Sequence, residues 1–188
     1  MLIITAPSGA GKTTIVRHLL ATFPELAFSV SATTRARRPH EVDGEDYHFI
    51  SKEAFLDKIR HQAFAEWEEV YEDMYYGTLH EEIERIWQAG KHIVFDIEVK
   101  GATNLKRAYP ERSLAVFVKP PDRETLFRRL RDRQTEDEAG LAKRIARAEE
   151  ELAYEDKFDR VLVNDDLPTA LTEAVRVTHD FIYPKSAE

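Results

Sequence analysis

Ala6-Pro7-Ser8-Gly9-Ala10-Gly11-Lys12-Thr13 fixes the architecture of this chain. The apolar run 2–6 leading into it reads as a buried strand. Beyond it, Ile15, Val16, Leu19, Leu20 and Phe23 recur at helical spacing over residues 14–23. Strand, glycine-rich turn and helix together are the context of a Walker A phosphate-binding loop. Gly9 and Gly11 let backbone N–H groups point inward at a phosphate chain with no Cβ in the way. Ser8, Ala10 and Thr14 belong to the same cradle. Lys12 would neutralise the β- and γ-phosphates, and the Thr13 hydroxyl would hold Mg2+. The following helix adds the positive end of its dipole. The strict pattern opens on glycine, and Ala6 stands there instead. GTPases, transport ATPases and small-molecule kinases share such a loop, so it leaves the reaction open.

The rest of the chain divides by pattern. Residues 28–78 mix short strand-like pieces (28–33, 47–50 and 64–70) with one helix at 52–62, for which Ser51 is the N-cap. A helix at 79–89 follows, with Gly90 placed to end it. Apolar runs at 92–97, 114–118 and 160–163 then alternate with helical stretches. Strands spaced by helices predict an α/β fold whose parallel sheet is covered on both faces. Residues 136–156 read as a charged helix with Leu141, Ile145, Ala148 and Leu152 as its apolar stripe. Pro168 fits the first turn of a closing helix that runs to about residue 182.

Composition narrows the function. The chain has 188 residues, 43% hydrophobic and 33% charged, ordinary values for one globular unit. It contains no cysteine, which excludes disulfides, thiolate metal sites and a cysteine nucleophile. A net charge of −8 argues against a broad nucleic-acid surface. The N-terminal run is too short for a signal peptide, and no apolar run reaches membrane-spanning length. The expectation is a soluble cytoplasmic protein with no nucleic-acid or membrane partner. The seven histidines show no metal-ligand spacing. Trp67 and Trp87 read as packing residues.

Local basic clusters stand out against this acidic background. Ser29-Val30-Ser31-Ala32-Thr33-Thr34-Arg35-Ala36-Arg37-Arg38-Pro39 ends a predicted strand with three arginines. Guanidinium forks suit phosphate oxygens, although a run of charge is also how a solvated turn looks. The segments after it are Gly44-Glu45-Asp46-Tyr47-His48-Phe49, Phe64-Ala65-Glu66-Trp67, Tyr75-Tyr76-Gly77-Thr78 and Phe95-Asp96-Ile97-Glu98-Val99-Lys100-Gly101-Ala102. That order resembles the guanylate kinase family over nearly the whole chain, from the Walker A loop to Asn164-Asp165-Asp166-Leu167.

The resemblance implies a single domain with three parts. A P-loop NTPase core takes about 1–27, 79–125 and 158–188, a small mixed β GMP-binding insertion about 28–78, and a helical lid about 126–157. It implies transfer of the γ-phosphoryl group of ATP to GMP, with Mg2+. Arg35, Arg38, Tyr47 and Tyr76 would hold the GMP phosphate, and Ser31, Glu66 and Thr78 would read the guanine. Asp96 would sit near the metal, and Glu98 beside the nucleoside, where relatives often carry aspartate. Asn164 would lie near the ATP base. Arg133 and Arg144 would close on the transferring phosphate beside Lys12. Departures from the family pattern fall at Ala6, at Lys100 where glutamine is usual, and at Asp132 where glycine is common.

The chemistry of Glu66 stands without the family. Guanine presents N1–H and N2–H2 donors side by side, which one carboxylate can accept, whereas adenine presents a bare N1 acceptor. Two rival readings fit the same residues: a binding module of the same fold without catalysis, and a P-loop kinase for another phosphorylated acceptor such as a ribose bisphosphate. A generic GTPase fits less well, because no Asn-Lys-x-Asp segment is present.

Overall fold

In the computed structural model, which describes residues 1–132 and 138–184, the N-terminal apolar run forms strand β1 (Leu2–Thr5). The glycine loop leads straight into helix α1 (Lys12–Thr22), followed by β2 (Leu26–Phe28), β3 (Ala32–Thr33) and β4 (His48–Phe49). Helix α2 (Lys52–Arg60) precedes the hairpin β5 (Phe64–Tyr71) and β6 (Met74–Leu79). Then come α3 (His80–Gln88), β7 (His92–Asp96), α4 (Val99–Ala108), β8 (Leu114–Lys119), α5 (Arg123–Asp132), α6 (Glu138–Leu152), β9 (Arg160–Val163) and α7 (Leu167–Ile182).

One sheet has the order β2-β7-β1-β8-β9, and every pairing in it is parallel. Side chains alternate across it, as the period of two requires. Leu2, Ile4, Val94, Val116 and Val118 face a cluster built with α1 and α7. Ile3, Ile93, Phe95 and Ala115 face the opposite cluster, built with α3 and α4. Burying such side chains contributes about 1.5–3 kcal/mol each, which is why this sheet is the rigid platform.

A smaller mixed sheet has the order β4-β3-β6-β5. The expected strand over 28–33 is divided between the two sheets. The Ser29 N–H still bonds the Val94 carbonyl at 3.0 Å, while the His48 N–H already bonds the Ser31 carbonyl at 2.9 Å. At the crossing the Val30 N–H donates to the buried Glu82 carboxylate of α3 at 3.0 Å. Apolar and polar residues alternate straight through this break, so periodicity does not reveal it. Strand β6 was not anticipated as a strand, because Gly77 weakens its pattern. It nevertheless pairs with both β3 and β5.

Caps fall where the residue types predict. The Ser51 Oγ accepts from the Ala54 N–H at 3.1 Å, and Pro168 lies in the first turn of α7 behind the Asp166 cap. Helices α5 and α6 pack on one another through Leu126, Leu130 and Ala148, with Leu141, Ile145 and Leu152 at the margin. That is the predicted stripe. Beyond Leu152 the chain turns into a short 3-10 segment, Glu155–Lys157, instead of continuing as α-helix.

Candidate active site

Parallel pairing sets Ile4 of β1 opposite Asp96 at the end of β7, so the glycine loop and this carboxylate emerge side by side. The Lys12 Nζ donates to the Ile97 carbonyl at 2.9 Å and lies 2.9 Å from Asp96 Oδ1. The Thr13 hydroxyl donates to Asp96 Oδ2 at 2.9 Å. Burial works against the Lys12 charge, but Asp96 and Glu98 outweigh it and raise its pKa above the ordinary lysine value. Gly9 and Gly11 have φ of +91° and +94°, a region that L side chains rarely adopt. Gly11 caps α1 without a side chain, which leaves the first-turn N–H groups of Lys12, Thr13 and Thr14 for an anion. Ala6 packs in the buried cluster with Ile4 and Ala10. Among the described residues no group of three or more His, Asp or Glu could hold a metal alone. The donor set is one hydroxyl and one carboxylate, which suits Mg2+ that keeps other oxygen ligands from water and phosphate.

The second half of the site comes from the small sheet. The Arg35 fork grips Glu41 through bonds of 2.9 and 2.7 Å, and its Nε donates to the Tyr76 hydroxyl at 3.1 Å. The Glu41 carboxyl is held at about 2, chiefly by that Arg35 bond. Arg35 also lies 5.3 Å from the centre of the Tyr47 ring. Burial pushes the Tyr47 phenol up to about 12, so it stays a proton donor at neutral pH. Glu66 of β5 is buried and accepts from the Thr78 hydroxyl of β6 at 2.7 Å. Its other oxygen lies against Gly101, where an added Cβ would meet it at 2.6 Å. Ser31 is buried nearby at the edge of β3.

One cleft of about 550 Å3 joins the two halves. Lys12, Thr13, Asp96 and the glycines line one end, and Ser31, Arg35, Tyr47, Glu66 and Tyr76 the other. Helix α6 contributes Lys143, Arg144 and Arg147. The guanylate kinase family model matches residues 1–180. The chain belongs to the guanylate kinase family. It is 45% identical to the guanylate kinase of Bacteroides fragilis over 97% of this chain and 89% of that protein. It is 47% identical to the Salinibacter ruber guanylate kinase over 97% of this chain and 96% of that one. The crystal structure of guanylate kinase from Anaplasma phagocytophilum matches with a TM-score of 0.79 at 26% identity, covering 99% of this chain and 87% of that chain.

Most residues expected from the guanylate kinase pattern line this cleft, including Ser8, Thr14, Arg38, Glu98 and Arg144. Three do not. Ala10 is buried in the core cluster. Thr78 is buried behind Glu66. Asn164 is buried, and its amide donates to the Ala10 carbonyl at 2.8 Å, bracing the glycine loop from behind. Arg133 lies outside the described residues. Sequence reasoning passed over Glu41 and Arg147, and took Gly101 as part of the 95–102 segment without giving it a role. Each acts through a neighbour distant in the chain or around a turn, and neither Glu41 nor Arg147 has a spacing that marks it.

The Glu66 carboxyl gives a pH prediction. Burial raises it from the ordinary carboxyl value of 4.5 to about 7, reinforced by Glu68 and opposed by the Thr78 bond. The folded protein therefore takes up this proton more readily than the unfolded chain. Its contribution to stability is full below about pH 4.5 and is lost as pH rises through about 7. Thermal melting of the ligand-free protein from pH 5 to 8 should show Glu66→Gln gaining on the parent as pH rises. The difference would grow by up to about 1.4 kcal/mol per pH unit. A gap independent of pH would mean that the carboxyl is ionised throughout.

Proposed function

We propose that this protein transfers the γ-phosphoryl group of ATP to GMP, and to dGMP, giving ADP and GDP. The observation that carries the proposal is the placement of the buried Glu66, held by Thr78, in the same cleft as Lys12, Thr13 and Asp96. In this reading residues 8–14 cradle the ATP phosphates, with Asn164 behind the loop. Arg35, Arg38, Tyr47 and Tyr76 hold the GMP phosphate. Ser31 and Glu66 read the base, Thr78 acts through the Glu66 carboxylate it bonds, and Glu98 lies beside the nucleoside. The parallel-sheet body is the core, the small sheet with α2 is the GMP-binding insertion, and the α5–α6 pair is the lid.

Thr13 and Asp96 would hold Mg2+. When bound, the ion supplies positive charge to the phosphate oxygens. The protein's own part is positioning and charge. Lys12, kept protonated by Asp96 and Glu98, sets a fixed cation at the loop. Arg144 of α6 lines the cleft opposite and would add a second. The GMP phosphate, with a second pKa of about 6, is mostly dianionic at neutral pH, so the nucleophile needs no general base. Closure of α6 would exclude water, which competes for the phosphoryl group. Use of ATP as phosphoryl donor fits a cytoplasmic reaction.

The test is ADP release with Mg·ATP and, in turn, GMP, dGMP, AMP, UMP and ribose bisphosphate. Activity confined to GMP and dGMP is expected. Activity on ribose bisphosphate alone would keep the fold and overturn the substrate. Silence on all five with GMP still bound would make the protein a binding module.

A further inference from the structure

Helix α6 turns a second arginine into the cleft, one turn beyond Arg144. The Arg147 guanidinium is mostly buried, and its contacts reach three parts of the molecule. On its own helix, Nε donates to Glu151 Oε1 at 2.7 Å. On β5, Nη1 donates to the Val70 carbonyl at 2.5 Å, Nη2 lies 3.8 Å from Glu68 Oε1, and the group sits 5.2 Å from the centre of the Tyr71 ring. At the junction of β7 and α4, Nη2 lies 3.5 Å from Glu98 Oε2.

We propose that Arg147 is a positioning residue that ties α6 to the acceptor half of the cleft, so that GMP affinity depends on α6 even when ATP is absent. This rests on the GMP reading above. Glu68 lies two residues beyond Glu66 on the same strand and so on the same face. A shift of Glu68 or Val70 therefore moves the strand that carries the base-reading carboxylate. Glu98 is a second acceptor-side group in contact with the same guanidinium.

Three carboxylates face this one guanidinium, with Lys100 4.0 Å from Glu68 and the Lys12 charge acting on Glu98 and Glu151 from the other end of the cleft. Glu68 Oε2 and Glu151 Oε2 are buried without a hydrogen-bond partner among the described residues. Burial raises both carboxyls, and Arg147 pulls them back down. Without Arg147 the three acids repel one another, and α6 loses its bond to the β5 backbone. A lysine keeps the charge but cannot reach Glu151 and the Val70 carbonyl with one planar fork.

GMP dissociation constants should be measured by calorimetry without ATP for the parent, Arg147→Ala and Arg147→Lys. The KM for ATP should be measured alongside at saturating GMP. Arg147→Ala is expected to weaken GMP by about tenfold, the effect of losing one charge-assisted contact, with Arg147→Lys in between. The ATP KM should stay within about twofold, a split that a general packing defect would not produce. Hydrogen exchange should show GMP alone protecting α6 amides in the parent and not in Arg147→Ala. Arg147→Lys, which keeps the buried charge balanced, guards against a folding failure of the alanine variant. A GMP affinity unchanged in both folded variants, or equal losses for GMP and ATP, would overturn the inference. A parent that binds no GMP would overturn the function reading and this inference together.

Discussion

Lys12→Ala should lower kcat by about a hundredfold to a thousandfold, the scale of losing one preorganised group that stabilises developing charge. The effect comes from the fixed position of the ammonium. Lys12 is pinned by Asp96 Oδ1 and the Ile97 carbonyl, each at 2.9 Å, so little reorganisation remains when phosphate arrives. Those anchors keep it charged well above neutral pH, and no smaller residue can supply that charge from the loop. The substitution also strips Asp96 of its buried counter-ion, so some loss of stability should accompany the loss of rate. Coupled ADP release on protein shown to be folded by thermal melting separates the two effects. A kcat within about tenfold of the parent would mean that the arginines carry the charge and the cradle assignment is wrong.

The parallel sheet was legible because buried strands and amphipathic helices leave different periods. The 2–6, 92–97 and 114–118 runs each became central strands, and the alternation along them assigns the two covered faces. What was not legible is where the chain changes sheets. Residues 28–33 keep one alternating pattern while the backbone leaves β2 and enters β3, and the stranded Val30 N–H is satisfied by Glu82 from α3. Nothing in the local pattern announces a partner 52 residues away. The β6 strand was hidden for a local reason, a glycine inside a run of tyrosines.

The site was legible in proportion to how much of it is backbone geometry. A glycine loop between a strand and a helix has one outcome, and Lys12 and Thr13 follow from their place in it. The acceptor half depends on side chains meeting across sheets. Arg35 is recognisable as a phosphate group holder by type, but its bidentate partner Glu41 lies around a turn and looks like any surface acid. Gly101 looks like an ordinary helical glycine until the Glu66 carboxylate is found against it. Arg147 sits among alternating charges on α6, and only the packing shows that it reaches β5 while Arg176, also on an acidic helix, stays exposed with Glu173 and Asp180.

Glu66→Gln should lower kcat/KM for GMP by about a hundredfold or more while leaving the KM for ATP near its parent value. The carboxylate offers two acceptors, and one of them, Oε1, takes the Thr78 hydroxyl at 2.7 Å in the ligand-free protein. A glutamine can keep its carbonyl oxygen on that hydroxyl. Its amide nitrogen then replaces Oε2, the oxygen packed against Gly101. A donor now stands where an acceptor was, and guanine brings two donors of its own. One of them is left facing another donor in a buried site, the arrangement that costs most. Adenine suffers less, because its bare N1 can accept from the new amide, so the ratio of AMP to GMP activity should rise even as both remain low. The donor end of the cleft is untouched, since Lys12, Thr13 and Asp96 make their contacts on the other sheet. The variant should also be at least as stable as the parent above pH 7, because it no longer buries a charge. A fall in GMP use therefore cannot be assigned to unfolding. Steady-state kinetics with GMP, AMP and ATP varied in turn gives the answer. Equal losses for GMP and ATP, or an unchanged AMP-to-GMP ratio, would mean that Glu66 supports the sheet and that the base is read elsewhere.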